Sequence, residues 1–196
     1  MARFDLDQAV AQVEVRLPYT EDSRARPFLI MLSGLPGTGK SYLARRLSER
    51  LRAPVIETDF VRKTLFPQPS YSADESAIVH WVSRLLMRKL LARGVPVILD
   101  ATNLIERQRE MVYHVAEQAG ARLVIVQTVA PEEVVRARLE RRLTQRDPGD
   151  ISDATWSVYR RMAERQEPIR RPHLVVNTSE DLEPAIDKII REVTRP

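Results

Sequence analysis

Eight consecutive residues, Gly34-Leu35-Pro36-Gly37-Thr38-Gly39-Lys40-Ser41, constrain this chain more than any other feature. They fit the pattern G-x-x-x-x-G-K-[ST]. Before them runs a strand-length apolar stretch, Phe28 to Ser33, and after them Tyr42 to Leu51 carries apolar residues at helical spacing. Strand, glycine-rich turn and helix in that order make a backbone cradle for phosphate. Gly34, Gly37 and Gly39 let successive N–H groups face the anion, and the following helix adds the positive end of its dipole. The pattern implies a nucleoside triphosphate, taken here as ATP. Lys40 reaches its β- and γ-phosphates, the Ser41 hydroxyl ligates Mg²⁺, and Leu35, Pro36, Thr38 and Tyr42 complete the loop's contacts.

From Phe28 onward strand-like and helix-like segments alternate, which argues for a parallel sheet with right-handed helical crossovers. The expected strands are Phe28 to Ser33, Pro54 to Glu57, Val95 to Asp100, Arg122 to Thr128 and His173 to Val176. The expected helices are Lys40 to Arg52, Ala73 to Arg93, Ile105 to Ala119, Glu132 to Leu143, Asp153 to Gln166 and Leu182 to Val193. The fold class is thus a three-layer α/β domain with a five-stranded parallel sheet, covering residues 28–196. Residues 1–27 read as an extension: a short amphipathic helix around Phe4, Leu6, Val10, Val13 and Leu17, then a polar linker. Gly94 and Gly120 stand where helices end, Ser152-Asp153 offers a helix cap, and Trp81 falls in phase with Ile78 and Leu85 as a core residue.

Two further strand ends carry chemistry. Asp59 and Arg62 follow the second strand at the edge that bears the phosphate loop, where ligands of open α/β sheets collect. A carboxylate there accepts the proton of an attacking hydroxyl, and an arginine one helical turn on holds an anionic part of the acceptor. The third strand ends in Asp100, placed to reach Mg²⁺ through a water or through Ser41. Ala101-Thr102-Asn103 follows, without the adjacent glutamate that many hydrolytic ATPases use to activate water, which leans toward transfer to another acceptor. Thr102 and Asn103 read equally as turn formers or ligand contacts. Farther on, Arg138, Arg142 and Arg146 step by four along one helical face, and an anionic triphosphate relieves their mutual repulsion. The break at Asp147-Pro148-Gly149-Asp150 suggests a lid over about residues 136–167. Trp156 and Tyr159 read as lid packing rather than base stacking.

Composition excludes several classes. The chain of 196 residues has no cysteine, so disulfides and thiolate metal sites are ruled out. His80, His114 and His173 show no metal-ligand spacing, so no structural metal is expected and packing or surface roles are. No apolar run reaches the roughly 20 residues that span a bilayer, and Met1 to Asp7 lacks a secretory layout, so a cytoplasmic protein without membrane contact is expected. The net charge of +4 permits a nucleic-acid partner without requiring one.

Taken together, Gly34 to Ser41, Thr58-Asp-Phe-Val-Arg62, Leu99-Asp-Ala-Thr-Asn103 and the arginine lid resemble the P-loop kinases related to polynucleotide kinases, zeta-toxin kinases and chloramphenicol phosphotransferase. The resemblance covers about residues 28–193. It implies that Lys40 and Ser41 serve ATP and Mg²⁺ and that Asp59 is the general base. It also implies that Arg62 contacts the acceptor, while Arg138, Arg142 and Arg146 belong to the lid, with Arg141 able to replace Arg142; Asn103 is counted with the acceptor-side candidates. The implied activity is an ATP-dependent phosphotransferase acting on a hydroxyl. A 5′-hydroxyl polynucleotide end is the first candidate acceptor. A small alcohol such as an antibiotic, sugar or nucleotide sugar is the second, and a non-catalytic ATP-binding switch is the rival class.

Overall fold

A computed structural model of the chain describes residues 5–19, 23–145 and 151–195. Its strands are β1 (Phe28–Ser33), β2 (Val55–Glu57), β3 (Val97–Asp100), β4 (Arg122–Val129) and β5 (Leu174–Asn177). They form one parallel sheet in the order β2-β3-β1-β4-β5. β1 is central and buried along its whole length, which is why it reads as a continuous apolar run instead of an alternating one. Its side chains split between two cores. Leu29 and Met31 join Val97, Leu99 and Ile125 on one face, while Phe28, Ile30 and Leu32 join Ile98, Val124 and Val126 on the other.

The second face is covered by α2 (Lys40–Leu51) and α8 (Glu183–Thr194), through Leu43, Leu47, Ile186 and Ile189. The first is covered by α4 (Ala73–Ala92) and α5 (Glu106–Gln118), through Val82, Leu86, Val112 and Val115. The remaining helices are α1 (Leu6–Glu14), α3 (Thr58–Leu65), α6 (Glu132–Thr144) and α7 (Trp156–Ala163). The three-layer sheet of the sequence reading is therefore present, and Gly94 and Gly120 do follow the helices they were expected to end.

Four local differences have physical causes. Residues 58–65 form a separate helix, α3, too short for periodicity to single out. β3 starts at Val97, past Pro96, which has no N–H to give a ladder. Trp81 is 51% exposed. The buried stripe of α4 runs through Val79, Val82, Ser83, Leu86, Met87 and Leu90, and Trp81 lies off that stripe on the solvent side. Ser152 and Asp153 do not cap a helix: α7 begins at Trp156, and Asp153 is engaged elsewhere.

The helix expected near the N-terminus is α1, and it is built into the core. Ala9, Val10 and Val13 are buried against the α3 and α4 side of the molecule, as is Leu17 just beyond the helix. The Gln12 side-chain amide donates to the Thr64 carbonyl at 3.0 Å, and Glu14 pairs with Lys89 at 2.7 Å and Arg93 at 2.9 Å. Phe4 lies outside the described residues. Among those described, no helix is long and apolar enough to cross a membrane. Since α1 buttresses α3, Leu17→Ala is expected to lower unfolding free energy by about 2–3 kcal/mol in urea titration. A loss well under about 1 kcal/mol would show the packing of the segment after α1 to be dispensable to the core.

Candidate functional site

The register of the sheet brings Ser33, Glu57, Asp100 and Gln127 to one edge, Glu57 lying directly beside Asp100. Along this edge opens a cleft of about 1230 Å³. Its floor is the phosphate loop with Gly37, Gly39, Lys40 and Ser41. Its walls carry Asp59 and Arg62 from α3, Asp100 from β3, Arg138, Arg141 and Arg142 from α6, and Arg161 and Arg165 from α7 and its end. Tyr42 lines it as well, while Gly34, Leu35 and Thr38 stand behind the lining surface. The sequence-predicted residues thus converge, with two exceptions. Arg146 lies outside the described residues, and Asn103 is turned away from the cleft.

The loop's shape depends on glycine at two points. Gly37 (φ +80°) faces Val135 and Leu139 of α6, and Gly39 (φ +83°) faces Thr178, where an added Cβ would meet the neighbouring atoms at 2.9 Å in each case. Three side chains then fasten the loop. Thr128 meets the Thr38 hydroxyl at 2.8 Å, and Thr178 donates to the Thr38 carbonyl at 2.8 Å. Arg138 bonds Thr178 through its hydroxyl and carbonyl, at 2.8 and 2.7 Å, and reaches the Gly37 carbonyl at 3.3 Å. Thr128 and Thr178 carry no motif signal. They act only because β4 and the turn after β5 close over the loop.

Beneath the loop lies a buried charge arrangement. Lys40 donates to the Leu35 carbonyl at 2.9 Å, and burial pulls its pKa down against the opposing pull of Asp100 and Asp59. Burial pushes Asp100 up, opposed by Lys40 and by a hydrogen bond from the Ser41 hydroxyl. The second carboxylate oxygen of Asp100, Oδ2, is buried without a hydrogen-bond partner. A carboxylate oxygen aimed at nothing, a hydroxyl beside it and a glycine cradle match the hard oxygen donors that Mg²⁺ takes together with substrate phosphates. Among the described residues no cluster of three or more His, Asp or Glu could hold a metal ion.

Asp59 opens α3 in the first helical turn. Among the described residues its carboxylate makes no hydrogen bond or ion pair, and it lines the cleft within electrostatic reach of Lys40 and Asp100. Arg62, expected to be available to an acceptor, is instead buried and ion-paired with Glu75 of α4. It also donates to the Ser76 hydroxyl at 3.3 Å and lies over the Tyr71 ring at 4.9 Å. Tyr71 sits at φ +53° and donates to Asp153 at 2.7 Å, while Lys63 pairs with Asp153 at 2.8 Å. These contacts tie the α3–α4 wall to the segment leading into α7. Trp156 and Tyr159 stack on each other at 4.7 Å and do not line the cleft.

Asn103 corrects the acceptor-side expectation. Its side-chain amide donates to the Leu32 carbonyl at 2.7 Å, it is buried, and its φ of +44° is a conformation that asparagine tolerates. It shapes the turn after β3. Arg109, wholly buried on α5, locks that turn by donating to the Asn103 carbonyl at 2.9 Å and to the Pro168 carbonyl at 2.7 Å.

Burial pushes the Glu75 carboxyl up, but hydrogen bonds from Arg62 and from Ser70 outweigh it and hold the group at about 2. The folded state therefore binds this proton more weakly than the unfolded chain. The pair stabilises the fold fully above the ordinary glutamate range and loses that contribution as pH falls toward about 2. Glu75→Gln is expected to cost about 3 kcal/mol near pH 7, because Arg62 is left buried without its countercharge. It should also flatten the stability profile between about pH 4.5 and 2, read by urea unfolding at a series of pH values; an unchanged acid limb would contradict the pairing.

Comparison with known proteins follows the same lines. A family model described as an AAA domain matches residues 29–169. A probable adenylyl-sulfate kinase of Aeropyrum pernix is 28% identical over 160 residues, covering 76% of this chain and 82% of that protein. An uncharacterised protein of Mycobacterium tuberculosis is 31% identical over 150 residues, covering 70% of this chain but only 29% of that longer protein. Among solved structures, the Mycobacterium tuberculosis APS kinase CysC in complex with AMPPNP and APS superposes with a TM-score of 0.64 at 20% identity, covering 86% of this chain and 98% of that one.

Proposed function

We propose that this chain, which belongs to the AAA domain family and is a P-loop kinase, transfers the γ-phosphoryl group of ATP to a hydroxyl of a small-molecule acceptor. The observation that carries this reading is Asp59, an unengaged carboxylate on the wall of the same cleft whose floor holds Lys40 and Ser41. Asp59 takes the proton of the acceptor hydroxyl. The hydroxyl oxygen then forms its bond to the γ-phosphorus as the bond to the β–γ bridging oxygen breaks, releasing ADP. Lys40 and Arg142 hold the charge that shifts onto the phosphate oxygens, and Arg138 keeps the loop in shape from behind while lining the cleft. Ser41 and Asp100 would hold Mg²⁺, which supplies charge neutralisation between the β- and γ-phosphates.

Two observations favour a small acceptor over a polynucleotide end. Arg62, the residue that the family resemblance assigns to the acceptor's phosphate, is already neutralised by Glu75. The adenylyl-sulfate kinase relative, matched along most of its length, is named for a small nucleotide. A 5′-hydroxyl nucleic-acid end remains the competing acceptor and an arm of the test.

The test is transfer from γ-labelled ATP with Mg²⁺ to a panel of small alcohols and 5′-hydroxyl oligonucleotides. Asp59→Asn should keep nucleotide affinity and lose about 10²–10⁴-fold in transfer rate. Label on oligonucleotides alone would overturn the small-acceptor reading, and unchanged turnover in Asp59→Asn would remove that residue from the chemistry. Tight ATP binding without any product would favour a nucleotide-controlled switch.

A further inference from the structure

Behind the acceptor wall, a niche of about 10 Å³ adjoins the cleft, the two sharing Thr58, Ala101, His80 and Gln108 as lining. Its size admits a single oxygen-sized group. His80 and Arg84 sit one turn apart on α4, so their side chains emerge on one face, and Gln108 of α5 also lines the niche. Among the described residues none of the three side chains makes a hydrogen bond or ion pair. Arg84 is half-buried, and burial draws its guanidinium pKa down with no carboxylate acting in the other direction. A partly desolvated cation without a counterion is unfavourable until an anion arrives. His80 is held at about 4 by burial and by the nearby Arg84 and Arg62, so at neutral pH its uncharged ring offers one donor and one acceptor.

Resting on the kinase reading above, we infer that the acceptor is an oxyanion-bearing hydroxyl compound lying in the cleft, one oxygen of its acid group entering the niche toward Arg84 and its neighbouring polar groups hydrogen-bonded by His80 and Gln108. The residue that fixes charge preference is thus Arg84, on the face of α4 behind the catalytic edge. Arg62 also lines the cleft, but Glu75 already offsets its charge. A carboxylate and a phosphate or sulfate present the same oxygens to a guanidinium, and the assay separates them.

The experiment measures steady-state transfer from ATP to matched hydroxyl compounds that differ by an acid group: gluconate and glucose, glycerate and glycerol, AMP and adenosine, with adenylyl sulfate alongside. Wild-type protein should favour the acid members by about tenfold or more in kcat/KM. Arg84→Gln should raise the KM of the preferred acid by about tenfold while the KM for ATP stays within about twofold, and Arg84→Lys should recover much of the loss. His80→Asn and Gln108→Leu should raise the acceptor KM without altering the preference for the acid member. Equal use of charged and neutral members, an acceptor KM indifferent to Arg84→Gln, or no labelled acid at all would overturn the inference. If label then appears on a neutral alcohol or an oligonucleotide in an Asp59-dependent way, the kinase reading stands without it. Nucleotide binding with no phosphoryl transfer to anything defeats both.

Discussion

The buried arrangement of Lys40, Asp100 and Ser41 is the constraint on which the site depends. An ammonium and a carboxylate taken out of water are each costly, and the attraction of each for the other opposes the shift that burial imposes. The Ser41 hydroxyl, bonded to Asp100, links the start of α2 to the end of β3 beneath the phosphate loop. The loop is then closed from the far side by Thr128, Thr178 and Arg138. Lys40 bonds a loop carbonyl and Asp100 keeps an unpartnered oxygen, so the arrangement has polar capacity left for Mg²⁺ and a triphosphate.

The opposite wall is rigid for a different reason. The Arg62–Glu75 pair joins α3 to α4, and α1 packs behind both helices, so Asp59 stands on a braced helix at the cleft's edge. Asp153 links this wall through Tyr71 and Lys63 to the segment before α7. The surplus of arginine along the cleft suits one anionic substrate, and Arg84 behind the wall suits a second anionic group.

Most of the sheet could be read from the chain because parallel strands buried on both faces are continuous apolar runs, and β1 is the plainest case. The phosphate loop was legible because its chemistry needs glycine, lysine and a hydroxyl at fixed spacing along the chain. Contacts between distant elements left no such trace. Glu75 reads as an ordinary acid in the first turn of a helix, and only the packing of α4 on α3 turns it into the partner of Arg62. The same holds for His80, Arg84 and Gln108, which come together only when α4 and α5 pack side by side. Asn103 stayed ambiguous because an asparagine three residues after Asp100 suits a ligand and a left-handed turn equally well, and the backbone uses it for the turn. Trp81 misled because its apolar neighbours Ile78 and Leu85 are themselves only partly buried, and the stripe that sets the face of α4 lies elsewhere.

The most direct test of the central claim is calorimetric titration of AMPPNP into wild-type protein and Asp100→Asn, each with and without Mg²⁺. If Asp100 and Ser41 hold the metal beneath the phosphate loop, Mg²⁺ should tighten wild-type binding by about tenfold or more and should have little effect on Asp100→Asn. An equal Mg²⁺ dependence in the two proteins would contradict the account, because the unpartnered carboxylate at the heart of the cleft would then have no part in binding the nucleotide.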